Sequence, residues 1–394
     1  MFEHIVLRRA ERGEPISFGK IVEALVYYQR VHLVLDRTTV FGLVKQIGVN
    51  GVLALLYRPD VSGVYCEETL GVATNDVGVL QVHSFIAFTI SGSEGGRIQL
   101  KHPDDRLSYE LERQGTGKKE AKAFASKFFQ RIPIRKLSGD HFSKIAITEA
   151  AKSDLLDPSY TQHAIRGIVH ALDGGYDPGA DFKFDVRDSG LGLYVFHDLD
   201  LATINLRRAS MNPPQEALTV AFILGQVQDA SADLALASFY SGDFVTSAIA
   251  SSLIRVRHEE LLRRSGLNAE ARDQFLEVVL PDSPTIAEVV DAGERTVKEA
   301  FSLVDKAARF KTWLASVNPN EGLVRTYMKD VTAEGWINTI PGKTLRYMLT
   351  LGADAVHPAA GVAAGFADSF LLDKLLGGWR PNHFVEKRLV RFVG

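Results

Sequence analysis

The stretch ISFGKIVEALVYYQRVHLVLD, residues 16–36, decides how the amino-terminal part of the chain folds. Ser17 is a favourable N-cap, and apolar side chains recur at helical spacing from Phe18 to Val26, which predicts an amphipathic helix up to about Tyr28. The short apolar run Val31–Leu35 then predicts a buried strand. A helix followed at once by a buried strand is typical of a layered α/β arrangement.

The flanking residues extend this alternation. Phe2–Leu7 predicts a preceding strand, and a second helix begins at Asp36 or Thr38 and is broken near Gly48. Three runs with strand character follow, namely Val61–Glu67, Leu70–Thr74 and Val79–Ile90. Helix–strand alternation followed by successive strands predicts a mixed sheet that is covered by helices.

The character of the sequence changes near residue 210. Before this point, Phe182–Val186 and Leu191–His197 predict a hairpin, and Ala202–Arg208 predicts one more strand. After it, Asn212-Pro213-Pro214-Gln215 places an N-cap, a proline and a glutamine in the register of a helix start, and helical patterns continue to the C-terminus. We therefore predict an α+β fold, with a mixed α/β domain over 1–210 and an all-helical domain over 211–394.

Composition limits the class of protein. The chain has 394 residues, with 45 Lys and Arg against 48 Asp and Glu, and this near-neutral balance argues against a general nucleic-acid surface. Cys66 is the one cysteine, so an internal disulfide and a cysteine-rich zinc site are excluded. The N-terminus lacks the pattern of a secretory signal, and no run of 18 consecutive apolar residues is present. We expect a soluble, cytoplasmic protein with no stable membrane span, for which nucleic acid is not a favoured partner.

One charged strand suggests hydrolytic chemistry. Asp177, followed by Asp181 and Lys183, loosely resembles the acidic-x-Lys signature of restriction-like nucleases. In that family carboxylates hold magnesium while the lysine orients water or stabilises charge. These three residues are the predicted catalytic set, although the spacing between the acids is short, and a half-exposed strand with cross-strand ion pairs explains the same pattern.

A second acidic cluster suggests a metal site. His197 ends a predicted strand, and Asp198 and Asp200 point to the same side if that strand continues. Together these residues are the predicted ligands of a divalent ion, and ordinary turn chemistry is the alternative.

The most unusual composition lies between Pro358 and Leu376. Gly361 and Gly365 are four residues apart within a run of alanines, which lets another helix approach closely. With Trp379 as a packing anchor, these glycines predict a helix contact, either within the chain or between subunits.

No catalytic signature is present, because the chain lacks both an HExxH motif and a Gly-x-Ser-x-Gly elbow. The sequence therefore leaves open whether the protein is an enzyme. The leading hypothesis is an interaction or regulatory protein whose partner is a protein, either a second copy of itself or another chain. One alternative is a metal-dependent nuclease or another phosphodiester hydrolase, and another is a membrane-perturbing effector that releases 358–376 from the core. No cofactor is predicted, apart from a divalent metal under the nuclease alternative.

Overall fold

The computed structural model describes residues 2–10, 13–89, 100–173, 176–179, 181–212, 214–318, 322–332 and 379–394. Within this part of the chain, the strands are His4–Leu7 (β1), Arg30–Leu35 (β2), Val61–Tyr65 (β3), Thr69–Val77 (β4), Leu80–Phe88 (β5), Phe184–Asp188 (β6), Leu193–His197 (β7) and Asp243–Phe244 (β8). They form two separate four-stranded sheets.

Helices occupy most of the remaining described residues. They are Phe18–Tyr27 (α1), Arg37–Leu56 (α2), Pro103–Arg113 (α3), Lys118–Arg131 (α4), Ile147–Leu155 (α5), Pro158–Asp173 (α6), Leu201–Ala209 (α7), Val220–Tyr240 (α8), Ala248–Val279 (α9), Ile286–Asp291 (α10), Val297–Lys306 (α11), Ala308–Ser316 (α12) and Leu323–Thr332 (α13). A C-terminal helical segment comprises Pro381–Phe384, a π-helical turn Val385–Leu389, and Val390–Val393.

The first sheet is parallel, with the strand order β3-β2-β1-β8. Alternate residues point to opposite faces, so Ile5 and Leu33 join one hydrophobic cluster while Val6 and Val34 join another. Both faces of this sheet are therefore covered, as parallel sheets require.

The two helices that connect these strands begin at the predicted caps. Ser17 Oγ accepts a hydrogen bond from the backbone N–H of Lys20 at 3.2 Å, and Asp36 Oδ1 accepts one from Thr39 at 2.7 Å. The predicted break in α2 is also present, because Gly48 has φ 70° and ψ 166°. Local capping chemistry thus sets the start of both crossover helices.

The second sheet is antiparallel, with the strand order β4-β5-β7-β6. The predicted hairpin is confirmed, since Phe184 pairs with His197 and Asp188 pairs with Leu193. Leu70, Val72 and Phe85 pack on the second hydrophobic cluster, to which helix α8 also contributes. Helix α8 also lies against β1 of the parallel sheet, so it connects the two sheets.

The α+β fold class is confirmed by the presence of many helices together with one parallel and one antiparallel sheet. The two hydrophobic clusters each draw residues from both sides of residue 210. One unites 2–132 with 275–393, and the other unites strand residues such as Val34 with 137–254. The boundary at residue 210 stays a prediction, although the cores do not divide there.

Two elements near residue 210 differ from the prediction. Ala202–Arg208 belongs to helix α7, because Asp200 Oδ1 accepts from Thr203 N at 3.0 Å and caps a helix that buries Ile204 and Arg208 on one face. Helix α8 begins at Val220 with Thr219 as its N-cap, and not at Asn212. The residues before it bond to α7 instead: the backbone N–H of Leu218 donates to Asn205 Oδ1 at 2.6 Å.

The predicted all-helical half also contains a strand. Asp243 and Phe244 form β8, which pairs in parallel with Ile5 and Val6 of β1. A two-residue strand has no alternating pattern that could be recognised in the sequence.

One described helix, α2, is long and apolar enough to cross a membrane by length and composition. Of its most apolar 18 residues, 39% are buried in the protein, and Val40, Leu43 and Val52 are among them. The bend at Gly48 interrupts its regular geometry.

Candidate functional site: a cleft at the carboxyl edge of the parallel sheet

The cleft lies where three neighbouring parallel strands end. Arg8 and Arg9 follow β1, Asp36 follows β2 and Glu67 follows β3, and all four side chains line a cavity of about 150 Å³. Parallel strands bring their carboxyl ends to the same edge of a sheet, and so the topology gathers these residues. We call this cavity the carboxyl-edge cleft.

The strand order favours a site at this position. The chain passes from β1 to β2 to β3 in one direction across the sheet, whereas β8 lies on the other side of β1. Ligands of open α/β sheets bind outside the carboxyl ends of the strands, at the point where the strand order reverses. Asp229 of helix α8 reaches the cleft from the β8 side.

Arg8 forms two ion pairs at the edge of the cleft. Its Nη2 lies 2.9 Å from Asp229 Oδ1 and its Nη1 lies 2.8 Å from Asp233 Oδ1. Asp233 also accepts from the Thr246 hydroxyl at 2.9 Å, and burial raises the pKa of its carboxyl group while Arg8 opposes that shift. The network ties the end of β1 to helix α8, because both aspartates lie on one face of that helix.

The opposite wall comes from β3 and helix α3. Arg106 binds Glu67 through two nitrogens, with Nη2 at 2.6 Å from Oε2. Both carboxylate oxygens of Glu68 accept from Ser138, one from its N–H and one from its hydroxyl, each at 2.9 Å. The carboxylates of Glu67 and Glu68 are thus already hydrogen-bonded within the protein, and they form a wall of the cleft.

Three charged side chains of the cleft are less completely paired. The exposed fractions are 36% for Arg9, 38% for Arg37 and 40% for Asp229, against 11% for Arg8. Arg9 Nη2 lies 3.4 Å from Asp36, and Arg37 Nη1 lies 4.0 Å from Glu110. Among the described residues, the buried Nε of Arg9 has no hydrogen-bond partner. The cleft thus offers charged groups of both signs to a ligand.

Cys66 also lines the cleft, but its chemistry is poor for catalysis. The thiol is buried, and this burial raises its pKa to about 12. A nucleophilic cysteine needs its thiolate near neutral pH. Cys66 therefore forms part of the cleft wall.

A wider groove, of about 440 Å³, lies at the opposite edge of the parallel sheet. Its polar side chains bond to one another: Asn268 donates to Asp243 at 2.6 Å, and Gln274 donates to Glu270 at 3.1 Å. It lies at the amino ends of the strands, where parallel sheets do not usually bind ligands. The carboxyl-edge cleft is the better candidate.

The predicted nuclease residues lie apart from this cleft, near the start of β6. Asp177 is exposed and accepts a turn hydrogen bond from Gly179 N at 2.9 Å, and Asp181 and Lys183 are exposed as well. The backbone N–H of Lys183 donates to Asp198 Oδ1 at 2.7 Å, so the structure brings these two residues together. The catalytic role of Asp177, Asp181 and Lys183 stays a prediction.

Each predicted metal ligand has a local structural contact. Asp200 caps helix α7, and Asp198 joins β7 to the residue before β6. His197 stacks on Phe184 with 5.8 Å between ring centroids, and burial lowers its pKa. Among the described residues, no group of three or more His, Cys, Asp or Glu side chains is arranged to hold a metal ion. The metal role of His197, Asp198 and Asp200 stays a prediction.

The predicted interface residues are only partly described. Gly361 and Gly365 lie outside the described residues. Trp379 is half-buried and packs against the first hydrophobic cluster, so it is an anchor within the chain.

Sequence reasoning missed the cleft although a signal for it was present. Charged residues follow each apolar run at the edge: Arg8 and Arg9 come directly after HIVL, Asp36 and Arg37 come directly after HLVL, and Glu67 comes two residues after the end of the third strand. The contribution of Asp229 had no such signal, since it lies 221 residues from Arg8.

Comparison of the chain with protein-family models, with curated proteins and with solved structures finds no match.

Proposed function

We propose that the protein binds a small polar molecule in the carboxyl-edge cleft. The observation that carries this proposal is the position of the cleft beside the reversal of strand order, where Arg9, Arg37 and Asp229 remain partly exposed. Such crevices are the usual ligand sites of open α/β sheets. A ligand-binding role fits the regulatory class that the sequence favours.

The volume of the cleft limits the size of the ligand. A cavity of about 150 Å³ can hold one benzene ring, and it is smaller than the pockets of about 300–1,000 Å³ that bind drug-sized molecules. A dinucleotide is far larger. The cleft suits a small metabolite that is held mainly by its charged groups.

Thermal unfolding of the full chain tests this proposal. The compounds are inorganic phosphate, pyrophosphate, nucleoside monophosphates, dicarboxylates, simple sugars and the twenty L-amino acids, each added singly. A true ligand at 100 times its Kd stabilises the folded state by about 2.7 kcal/mol and raises Tm. We expect such a shift for one class of compound.

Matched variants locate the site. Arg9→Gln and Arg37→Gln should each weaken the shift, because both lose a charge that faces the cleft. Arg187→Gln is the control, since Arg187 is 70% exposed on β6. If no compound raises Tm, or if Arg187→Gln removes the effect as fully as Arg9→Gln does, the cleft is not the site.

Self-association is a second candidate, favoured by the outer face of the antiparallel sheet. Alternation along β5 and β7 places Leu80 and Phe196 on the face opposite helix α8, where the pairing register brings them side by side, and each is 43% exposed. Exposed apolar patches often mark protein contacts. Light scattering of Leu80→Ser and Phe196→Ser should show a smaller mass than the unmodified chain, while substitution of the 74% exposed Leu206 of α7 by serine should not. A monomeric mass for the unmodified chain contradicts this candidate.

A further inference from the structure

We propose that the ligand of the carboxyl-edge cleft is a zwitterion of the α-amino acid class, with its carboxylate bound by Arg9 and Arg37 and its ammonium group bound by Asp229. This inference rests on the proposed function and specifies the chemistry of the same site. It follows from the balance of charge in the cleft, from the placement of Asp229 and from the size of the cavity.

The charge of the lining is mixed and almost balanced. Four arginines and five carboxylates surround the cavity. A phosphate dianion would have to approach these carboxylates, and like charges at short range oppose binding. A zwitterion adds no net charge, and each of its groups meets a side chain of opposite sign. The lining is therefore complementary to a neutral ligand that carries both charges.

Charges of both signs face the cleft together. The ammonium and carboxylate groups of an α-amino acid are attached to the same carbon atom, so its site needs both signs in one cavity. Arg9, Arg37 and Asp229 all line this cavity, and Arg8 holds the Asp229 carboxylate at 2.9 Å. The cleft therefore offers one ligand both a positive and a negative partner.

Arg8 acts as a positioning residue in this arrangement. It is 11% exposed, and it is also paired with Asp233. Asp229 is 40% exposed, which leaves its carboxylate accessible to a ligand. A carboxylate has about four lone-pair sites, so Asp229 can accept from Arg8 and from an ammonium group together.

The cavity has the size of a single small molecule. A cavity of about 150 Å³ can hold one benzene ring, which is comparable in size with an amino acid. The volume is therefore compatible with the proposed class of ligand.

Calorimetry with the full chain tests the inference by changing the ligand. The twenty L-amino acids are titrated first, and the tightest is compared with its decarboxylated amine and with the matching 2-hydroxy acid. Each of these lacks one charge, and each should bind at least tenfold more weakly than the amino acid. Because the protein is unchanged, this comparison does not depend on how a variant folds.

A variant then identifies the ammonium site. Asp229→Asn should weaken amino acid binding at least tenfold and leave binding of the 2-hydroxy acid within twofold, while the exposed Asp185→Asn on β6 should change neither. Equal affinity for the amino acid and its 2-hydroxy acid overturns the inference. Binding of phosphate compounds without any amino acid overturns it too and leaves the proposed function intact, whereas no binding by any compound removes both.

Discussion

Arg8 lies where β1 ends, and its guanidinium joins two aspartates that are one helical turn apart on α8. The distances of 2.8 Å and 2.9 Å are those of good charge-assisted hydrogen bonds. Asp233 is only 9% exposed, so its carboxylate depends on Arg8 for compensation. Removing one partner of a buried pair costs much more than the pair itself contributes, because a charge remains without compensation.

Arg8→Met should therefore lower the free energy of unfolding by about 3 kcal/mol at pH 7. Adding Asp233→Asn should recover part of the loss, because it removes the unpaired charge. Urea denaturation of the single and double variants measures both effects. Arg187→Met, which alters an exposed pair, should stay within about 0.5 kcal/mol of the unmodified protein. A loss of similar size in both arginine variants would contradict the buried-pair interpretation.

His32 is a second residue whose burial has a measurable effect. Its ring stacks on Tyr240 with 3.7 Å between centroids, and its Nδ1 lies 2.9 Å from Ser62 Oγ. Burial, with a smaller contribution from His4, lowers the pKa of His32 to about 4. The folded protein therefore resists protonation of a group that the unfolded chain protonates below about pH 6.5.

Stability should fall with acidification in this window. Above about pH 6.5, His32 is neutral in both the folded and the unfolded chain and does not change the free energy of unfolding. As the pH falls from about 6.5 toward 4, only the unfolded chain gains the proton, and the free energy of unfolding decreases by about 3 kcal/mol. His32→Phe keeps a ring against Tyr240 but cannot titrate. Between pH 7 and 4.5, the free energy of unfolding of this variant should therefore decrease by about 2–3 kcal/mol less than that of the unmodified protein. The exposed His170→Phe should follow the unmodified protein. If the free energy of unfolding of His32→Phe depends on pH in the same way as that of the unmodified protein, His32 is not the group that causes the loss of stability in acid.

Helix α2 shows how one residue changes the direction of a whole element. Gly48 has φ 70° and ψ 166°, a region that only glycine occupies readily, and the helix bends there. A side-chain carbon added at Gly48 or at Gly42 would meet no atom within 4 Å. The two positions share an open environment and differ in backbone conformation.

Alanine substitutions at these two glycines should have opposite effects. Gly48→Ala should destabilise the protein by about 1–3 kcal/mol through backbone strain. Gly42→Ala should stabilise it by up to about 1 kcal/mol, because alanine is the better helix former. Thermal or chemical denaturation measures both. Stabilisation by both substitutions would mean that α2 is continuous at Gly48.

The sequence predicted elements well where the signal is local. Ser17 and Asp36 cap their helices as expected because an N-cap depends on residues only three positions away. Ala202–Arg208 was mistaken for a strand, since β-branched residues there outweighed the cap at Asp200. The carboxyl-edge cleft was missed because Arg8 and Asp229 meet only after the chain has folded.

The whole molecule is joined across its midpoint. The first hydrophobic cluster packs Ile21 and Leu25 of α1 with residues beyond 275, including Phe310 and Leu389. The second places Val34 with residues on both sides of residue 210. Neither half of the chain contains all the side chains of a core.

Fragments 1–210 and 211–394 should therefore fail to fold separately. Each would expose apolar surface that the other covers, and we expect broad, weakly cooperative thermal transitions for both fragments. Circular dichroism of the fragments and of the full chain measures this. A sharp transition for 1–210 alone would establish the predicted boundary as a true domain boundary.

The late strand β8 has a consequence for the nascent chain. Its Asp243 pairs with Ile5 of β1, so one side of β1 stays open until the ribosome has added a further 238 residues, up to Asp243. At about 5–20 residues per second, this takes about 10–50 seconds. During that interval an unpaired strand edge is available to other chains, which makes translation speed and chaperone access determinants of yield.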